Sequence, residues 1–273
     1  MRVVIFGSNG MLGGYMTKRL SGTYTIVALT RKDYDIGRLS IDSLTELLTS
    51  RDLQKDDVVI NCAGVIPQSS KQRDLSTRLY FTINSLFPVV LSQVCDRLGA
   101  VMIHITTDCV FSGKGGKYDE DAVHDETNDY GMSKSLGELC AATIIRTSII
   151  GEEKTNKRSL LEWVRSNKGG TINGYTNHFW NGVTCLQLAK LVATLISGDE
   201  LWSGVRHIHS PTAVSKYELV NMINDIYELG ITVNEFRTEE AVDKTLTSNR
   251  ATGWQIPELE EQIREMRGSS LVA

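Results

Sequence analysis

Val3-Val4-Ile5-Phe6 is a continuous apolar run that stops at a glycine. A run of that length without alternation suits a strand buried on both faces of a parallel sheet. Apolar positions from Met11 to Leu20 then recur at helical spacing, and Thr25 to Leu29 is a second strand. The same alternation continues with a helix over Ile41 to Leu48, a strand over Val58 to Ile60 and a long helix from about Leu75 to Leu98, bent near Pro88. It closes with a strand over Val101 to Thr106, a helix over Tyr130 to Cys140 and a strand over Thr143 to Ile150. Strands alternating with helices predict an α/β fold, a Rossmann-type doubly wound parallel sheet with right-handed crossovers.

After Gly151 the pattern loosens. Amphipathic segments at Leu160 to Val164, Leu186 to Ile196, Tyr217 to Leu229 and Pro257 to Met266 are separated by Gly/Asn-rich stretches. We therefore expect a nucleotide-binding domain over 1–150, with segments returning to it around 177–200. A smaller, C-terminal substrate-binding lobe would be built from 151–176 and 201–273.

Composition narrows the class. The 273 residues are 41% hydrophobic and 23% charged, with a net charge of −4, which excludes a disordered chain and argues against nucleic acid as a partner. No apolar stretch reaches the roughly 18 residues of a membrane span. The five cysteines (62, 95, 109, 140 and 185) are widely spaced with no CxxC pair, so neither a disulfide framework nor a metal site is expected. A cytoplasmic location with free thiols fits.

The chemistry sits at turns. Gly7-Ser8-Asn9-Gly10-Met11-Leu12-Gly13 follows the first strand and opens the first helix, the setting in which three spaced glycines bind a dinucleotide. Gly7 makes the turn, Gly10 admits a pyrophosphate, Gly13 lets helix and strand close up, and the helix N-terminus offers N–H groups to the phosphates. At the end of the second strand, Arg31 and Lys32 precede Asp33 and Asp35. A guanidinium fork there favours NADP(H) through its 2′-phosphate, while Asp33 or Asp35 as a ribose contact keeps NAD(H) open. Tyr130 and Lys134 are four apart and share a helix face. Reducing a ketone needs a hydride on carbon and a proton on oxygen, and a phenol whose pKa is lowered by a nearby ammonium can supply the proton. Thr107 and Asp108 close the fourth strand at the carboxyl edge, where ligands bind in such sheets.

The glycine turn, Thr106-Thr107-Asp108-Cys109-Val110-Phe111-Ser112-Gly113, Tyr130 to Lys134 and Gly137-Glu138 occur in that order. Together they resemble the extended short-chain dehydrogenase/reductase superfamily and, within it, the dTDP-4-dehydrorhamnose reductase family. Asp57 to Gly64, Arg146-Thr147-Ser148 and Asn181 to Thr184 add to the likeness, which covers residues 1–200 well. The resemblance implies an NAD(P)H-dependent oxidoreductase that reduces the 4-keto group of a nucleotide-linked 6-deoxyhexose. It implies Thr107, Tyr130 and Lys134 as the catalytic set, Thr107 and Asp108 at the sugar, and Cys62, Ala63 and Gly64 along the cofactor. Trp180 is a further candidate for stacking on substrate. A nucleotide-sugar partner and a role in polysaccharide biosynthesis follow, and a homodimer is compatible. Two positions depart from the family. Cys109 and Ile149 stand where Tyr and Trp are usual, both bordering the sugar. A 4,6-dehydratase would need Glu after Asp108. An epimerase with tightly held NAD and a non-catalytic binding subunit, like the regulatory subunit of methionine adenosyltransferase, are the alternative readings.

Overall fold

The computed structural model describes residues 1–67, 76–155, 157–250 and 253–269. The chain divides into two units. The first holds Met1–Val110, Glu126–Arg146 and Ala189–Arg206. The second holds Phe111–Asp125, Thr147–Leu188 and His207–Ala273.

The first unit is built on a six-stranded sheet of β1 (Arg2–Phe6), β2 (Thr25–Leu29), β3 (Val58–Asn61), β4 (Val101–Thr107), β5 (Thr143–Thr147) and β10 (Gly204–His207). The spatial order is β10-β5-β4-β3-β1-β2, with β2, β1, β3 and β4 running parallel. Helices α1 (Met11–Leu20) and α2 (Ile41–Ser50) connect β1 to β2 and β2 to β3. The order reverses between β1 and β3, and in doubly wound sheets the ligand crevice opens beyond the strand ends at that point. Phe6, Val59, Met102 and Ile144 from the sheet pack with Leu44, Leu48, Phe87 and Leu91 in one buried core. Each such side chain contributes on the order of 1.5–3 kcal/mol.

The helix expected from Leu75 to Leu98 has a more specific form. Leu75 lies outside the described residues; the rest, α3, runs as Thr77–Phe81, a π-helical turn at Thr82–Leu86, and Phe87–Leu98. Pro88 explains the interruption. It has no N–H for the carbonyl of Asn84 four residues earlier, and the chain takes an extra residue into that turn. The freed Asn84 carbonyl meets α4 (Asp129–Gly137), where a Cβ on Gly137 would stand only 2.1 Å from it.

The strand expected over Thr143 to Ile150 is two strands. β5 ends at Thr147, and Ile149–Ile150 (β6) pairs with Val183–Thr184 (β9) in the second unit's own small sheet. Ser148 is the joint, its carbonyl accepting from the Val183 N–H at 2.8 Å.

The second unit also holds β7 (Thr171–Tyr175) paired in parallel with β12 (Thr232–Phe236). A three-stranded sheet sets β8 (His178–Trp180) between β11 (Val214–Ser215) and β13 (Val242–Asp243). Its helices are α5 (Leu160–Ser166), α7 (Lys216–Tyr227) and α8 (Leu259–Gly268); α6 (Cys185–Ser197) lies between α5 and α7 in the chain. None of the strands after Ile150 was anticipated; most are two to five residues long and too short to show a period. No described helix is long and apolar enough to cross a membrane.

Candidate active site

The glycine turn forms as expected. Gly7 has φ of +74°, a conformation open to glycine, and a Cβ on it would sit 2.9 Å from the N and Cα of Ala63. A Cβ on Gly13 would stand 2.1 Å from the carbonyl oxygen of Gly7, so helix and turn touch backbone to backbone. Ser8 is buried and ties the turn to β2 by donating its N–H and Oγ to the Leu29 carbonyl at 3.1 and 3.0 Å. Asn9 and Gly10 are exposed, Met11 is half-buried, and Leu12 buries its side chain. Helix α1 has no side-chain cap and no acidic residue in its first turn. Its free N–H groups and positive dipole end suit an anion. An adenine dinucleotide fits this cradle, since glycine occurs where a Cβ would obstruct and the helix end carries no competing carboxylate.

Beyond β2, Asp33 accepts from Thr30 N and Oγ1, both at 2.8 Å, and these bonds hold its carboxyl below the usual range. Arg31 is exposed and reaches Asp35 Oδ1 at 3.3 Å, while Asp35 also receives the Gly37 N–H. Lys32 is exposed. Such surface pairs are weak, so Arg31 can exchange Asp35 for a ligand anion.

Beyond β3, Cys62, Ala63 and Gly64 form the turn facing Gly7 on one side and Lys134 on the other. A Cβ on Gly64 would lie 3.0 Å from Lys134 Nζ. Asn84, displayed by the π-helical turn, braces the same region. It accepts the Val65 N–H at 2.9 Å and donates to the Val65 carbonyl and Ser133 Oγ, both at 3.0 Å. Ser85 Oγ donates to the Ser133 carbonyl at 2.7 Å. Helix α4 is thereby fastened to α3, and Asn128 caps its start by accepting from the Gly131 N–H at 2.9 Å.

On α4, Tyr130 and Lys134 project together. The Tyr130 ring lies edge-on to Tyr80, ring centroids 6.5 Å apart, and its phenol is near enough to the Thr107 side chain to feel it. Lys134 is buried. Burial brings its ammonium down to about 8, partly opposed by the Glu138 carboxylate. The phenol behaves differently from the sequence-based expectation. Burial, followed by Cys109, Asp108 and Tyr80, holds it above the ordinary value, and the Thr107 side chain is what lowers it. Asp108 is buried, with its Oδ1 receiving Thr107 Oγ1 at 3.0 Å and Cys109 Sγ at 3.5 Å. It organises the turn that presents Thr107.

Trp180, the candidate for stacking on substrate, is 4% exposed, with Lys216 Nζ 4.8 Å from its ring centroid and Gly182 against the ring's edge. Sequence reasoning missed Asn84 and Glu138 as supports. Pro88, four residues beyond Asn84, was the one available signal for the first. The Glu138 carboxylate is paired with Arg146 Nη2 at 2.5 Å, both buried.

The arrangement is comparable to known proteins. The spore coat polysaccharide biosynthesis protein SpsK of Bacillus subtilis is 27% identical over 254 residues, covering 89% of this chain and 86% of that protein. A dTDP-4-dehydrorhamnose reductase of Mycolicibacterium smegmatis is 35% identical over 160 residues, but this match spans 54% of the chain and 45% of the reductase. The crystal structure of dTDP-4-dehydrorhamnose reductase from Bacillus anthracis in complex with NADP superposes with a TM-score of 0.82 at 23% identity, covering 98% of this chain and 99% of that one, a likeness of fold. Residues 1–252 match the family model for the RmlD substrate binding domain, and the chain belongs to that family.

Proposed function

We propose that the protein is an NADP(H)-dependent reductase of the 4-keto group of a nucleotide-linked 4-keto-6-deoxyhexose, with NAD(H) as the alternative cofactor. The observation that carries this reading is the placement of Tyr130 and buried Lys134 one turn apart on α4, with the phenol near Thr107 at the carboxyl edge of a sheet whose first turn is a glycine cradle.

The backbone of Gly7, Ser8, Asn9, Gly10, Met11 and Leu12 would hold the pyrophosphate, with Arg31 and Lys32 toward a 2′-phosphate and Asp35 released from Arg31. Cys62, Ala63 and Gly64 would flank the cofactor on the β3 side. Bound reduced nicotinamide supplies the hydride. Tyr130 delivers the proton to the carbonyl oxygen of the sugar, and Thr107 orients that oxygen through a second hydrogen bond. Lys134 places positive charge beside the phenol and offers donors to a ribose hydroxyl. Asp108 acts by shaping the Thr107 turn.

The test follows loss of reduced-nicotinamide absorbance with NADPH or NADH and a panel of nucleotide-linked 4-keto-6-deoxy sugars. Turnover with at least one sugar is expected, with NADPH preferred. Tyr130→Phe should lose roughly 10²–10⁴-fold in turnover while still binding cofactor. No turnover on any sugar, or full activity in Tyr130→Phe, would overturn the reading. Equal use of the two cofactors would remove the 2′-phosphate role of Arg31.

A further inference from the structure

His104 lies in the middle of β4, 1% exposed, on the same strand face as Met102 and Thr106. Its surroundings determine which ring nitrogen carries the proton. The Ala63 N–H donates to Asn61 Oδ1 at 3.0 Å, which turns the Asn61 amide nitrogen toward the ring, 3.1 Å from His104 Nδ1. An amide nitrogen is only a donor, so Nδ1 accepts and the proton of the neutral ring sits on Nε2. Among the described residues that Nε2–H is buried without a partner, and so is Thr106 Oγ1 two residues along the strand. Burial, with the Lys134 ammonium adding to it, brings the imidazole down to about 3, so the ring stays neutral.

A buried donor and hydroxyl with no partner lower stability, and leucine at 104 would avoid the first of these. What histidine adds is the start of a chain of contacts. His104 holds Asn61, Asn61 holds the Ala63 N–H, and Ala63 abuts Gly7. We propose that His104 is a positioning residue that sets the Cys62–Gly64 turn against the glycine turn through Asn61, while its Nε2–H and Thr106 Oγ1 share one buried water. The inference rests on the reading of these two turns as the cofactor site.

Three variants separate the two faces of the ring. His104→Asn keeps an acceptor at the reach of Nδ1, His104→Gln places its amide at the reach of Nε2, and His104→Leu removes both. NADPH affinity is measured by fluorescence, alongside thermal melts and histidine-selective nitrogen NMR of the wild type. His104→Leu should weaken NADPH binding about tenfold, the equivalent of one hydrogen bond lost. Its melting temperature should stay near that of wild type, because the unpartnered Nε2–H it removes offsets the Asn61 amide it strands. His104→Asn should recover most of the affinity and His104→Gln should not. The NMR spectrum should show His104 neutral and protonated on Nε2. Wild-type affinity in His104→Leu, equal recovery by Gln and Asn, or a proton on Nδ1 would overturn the proposal. So would a loss of affinity that tracks a lower melting temperature in all three variants. If the wild type itself binds neither NADPH nor NADH, the cofactor reading falls instead, and the NMR result still decides the tautomer.

Discussion

Lys134 and Gly64 are in direct apposition: the ammonium lies 3.0 Å from the point where a Cβ on Gly64 would stand, and Asn84 Oδ1 lies 3.4 Å from it. A methyl group there displaces the end of one buried side chain and leaves the backbone in place. Gly64→Ala should therefore fold with a melting temperature near that of wild type and lose about tenfold or more in turnover, since small misplacements of a reacting group are costly. Gly13→Ala is the contrasting case. Its Cβ would meet the Gly7 carbonyl oxygen at 2.1 Å, backbone against backbone. This variant should lose several kcal/mol of stability, about the range for overpacking, before any question of activity arises. Urea titration and steady-state kinetics on both variants check the pair; equal stabilities would refute the distinction.

The pH dependence of turnover should report Lys134. Its pKa is brought down to about 8 by burial, so the charged form holds below that value and is lost as pH rises through it. Turnover should fall above about pH 8. The Glu138 carboxylate opposes the effect of burial. Glu138→Gln removes that support, and the decline should move to lower pH. Profiles of kcat against pH for the two proteins decide this; a decline that stays in place shows that Glu138 has no influence on Lys134.

Arg146 and Glu138 form a buried pair with Nη2 2.5 Å and Nε 3.1 Å from the two carboxylate oxygens. Removing one member strands the other charge. Arg146→Met alone should lose about 3–5 kcal/mol, whereas Arg146→Met combined with Glu138→Met should recover most of it, because a buried ion pair replaced by apolar side chains is often close to neutral. Denaturant melts of the single and double variants measure the difference, and a double variant no more stable than the single would contradict it.

None of the five cysteines is in a disulfide. Burial pushes the thiols of Cys62, Cys95 and Cys140 up to about 12. Only the thiolate is nucleophilic, so at pH 8 these three should react with iodoacetamide orders of magnitude more slowly in the folded protein than in urea. Peptide mass spectrometry after timed labelling reads each site separately. Rapid labelling of Cys62 in the folded protein would show that the β3 turn opens.

Much of the first unit was legible from the residues because its central strands, β1, β3, β4 and β5, are buried on both faces. Met11–Leu20 and Thr25–Leu29 fall where the apolar pattern places them. The glycine turn was legible for a similar reason: Gly7 and Gly13 leave room for backbone to approach backbone, a requirement visible in residue type. Tyr130 and Lys134 share a face by helical spacing alone. The second unit was legible only as amphipathic helices, since strands as short as Val183–Thr184 and Val242–Asp243 carry no readable period.

The residues by themselves determined the order of strands and helices as far as Thr147, the position of the glycine cradle and the pairing of a phenol with an ammonium, because each depends on neighbours within about one helical turn. Only the tertiary structure decided that burial raises the Tyr130 phenol, that Trp180 is buried and that Arg146 pairs with Glu138. It also joined Asn61 to His104, 43 residues apart. Desolvation and hydrogen bonding depend on which distant segments pack around a group, and local pattern holds no record of that.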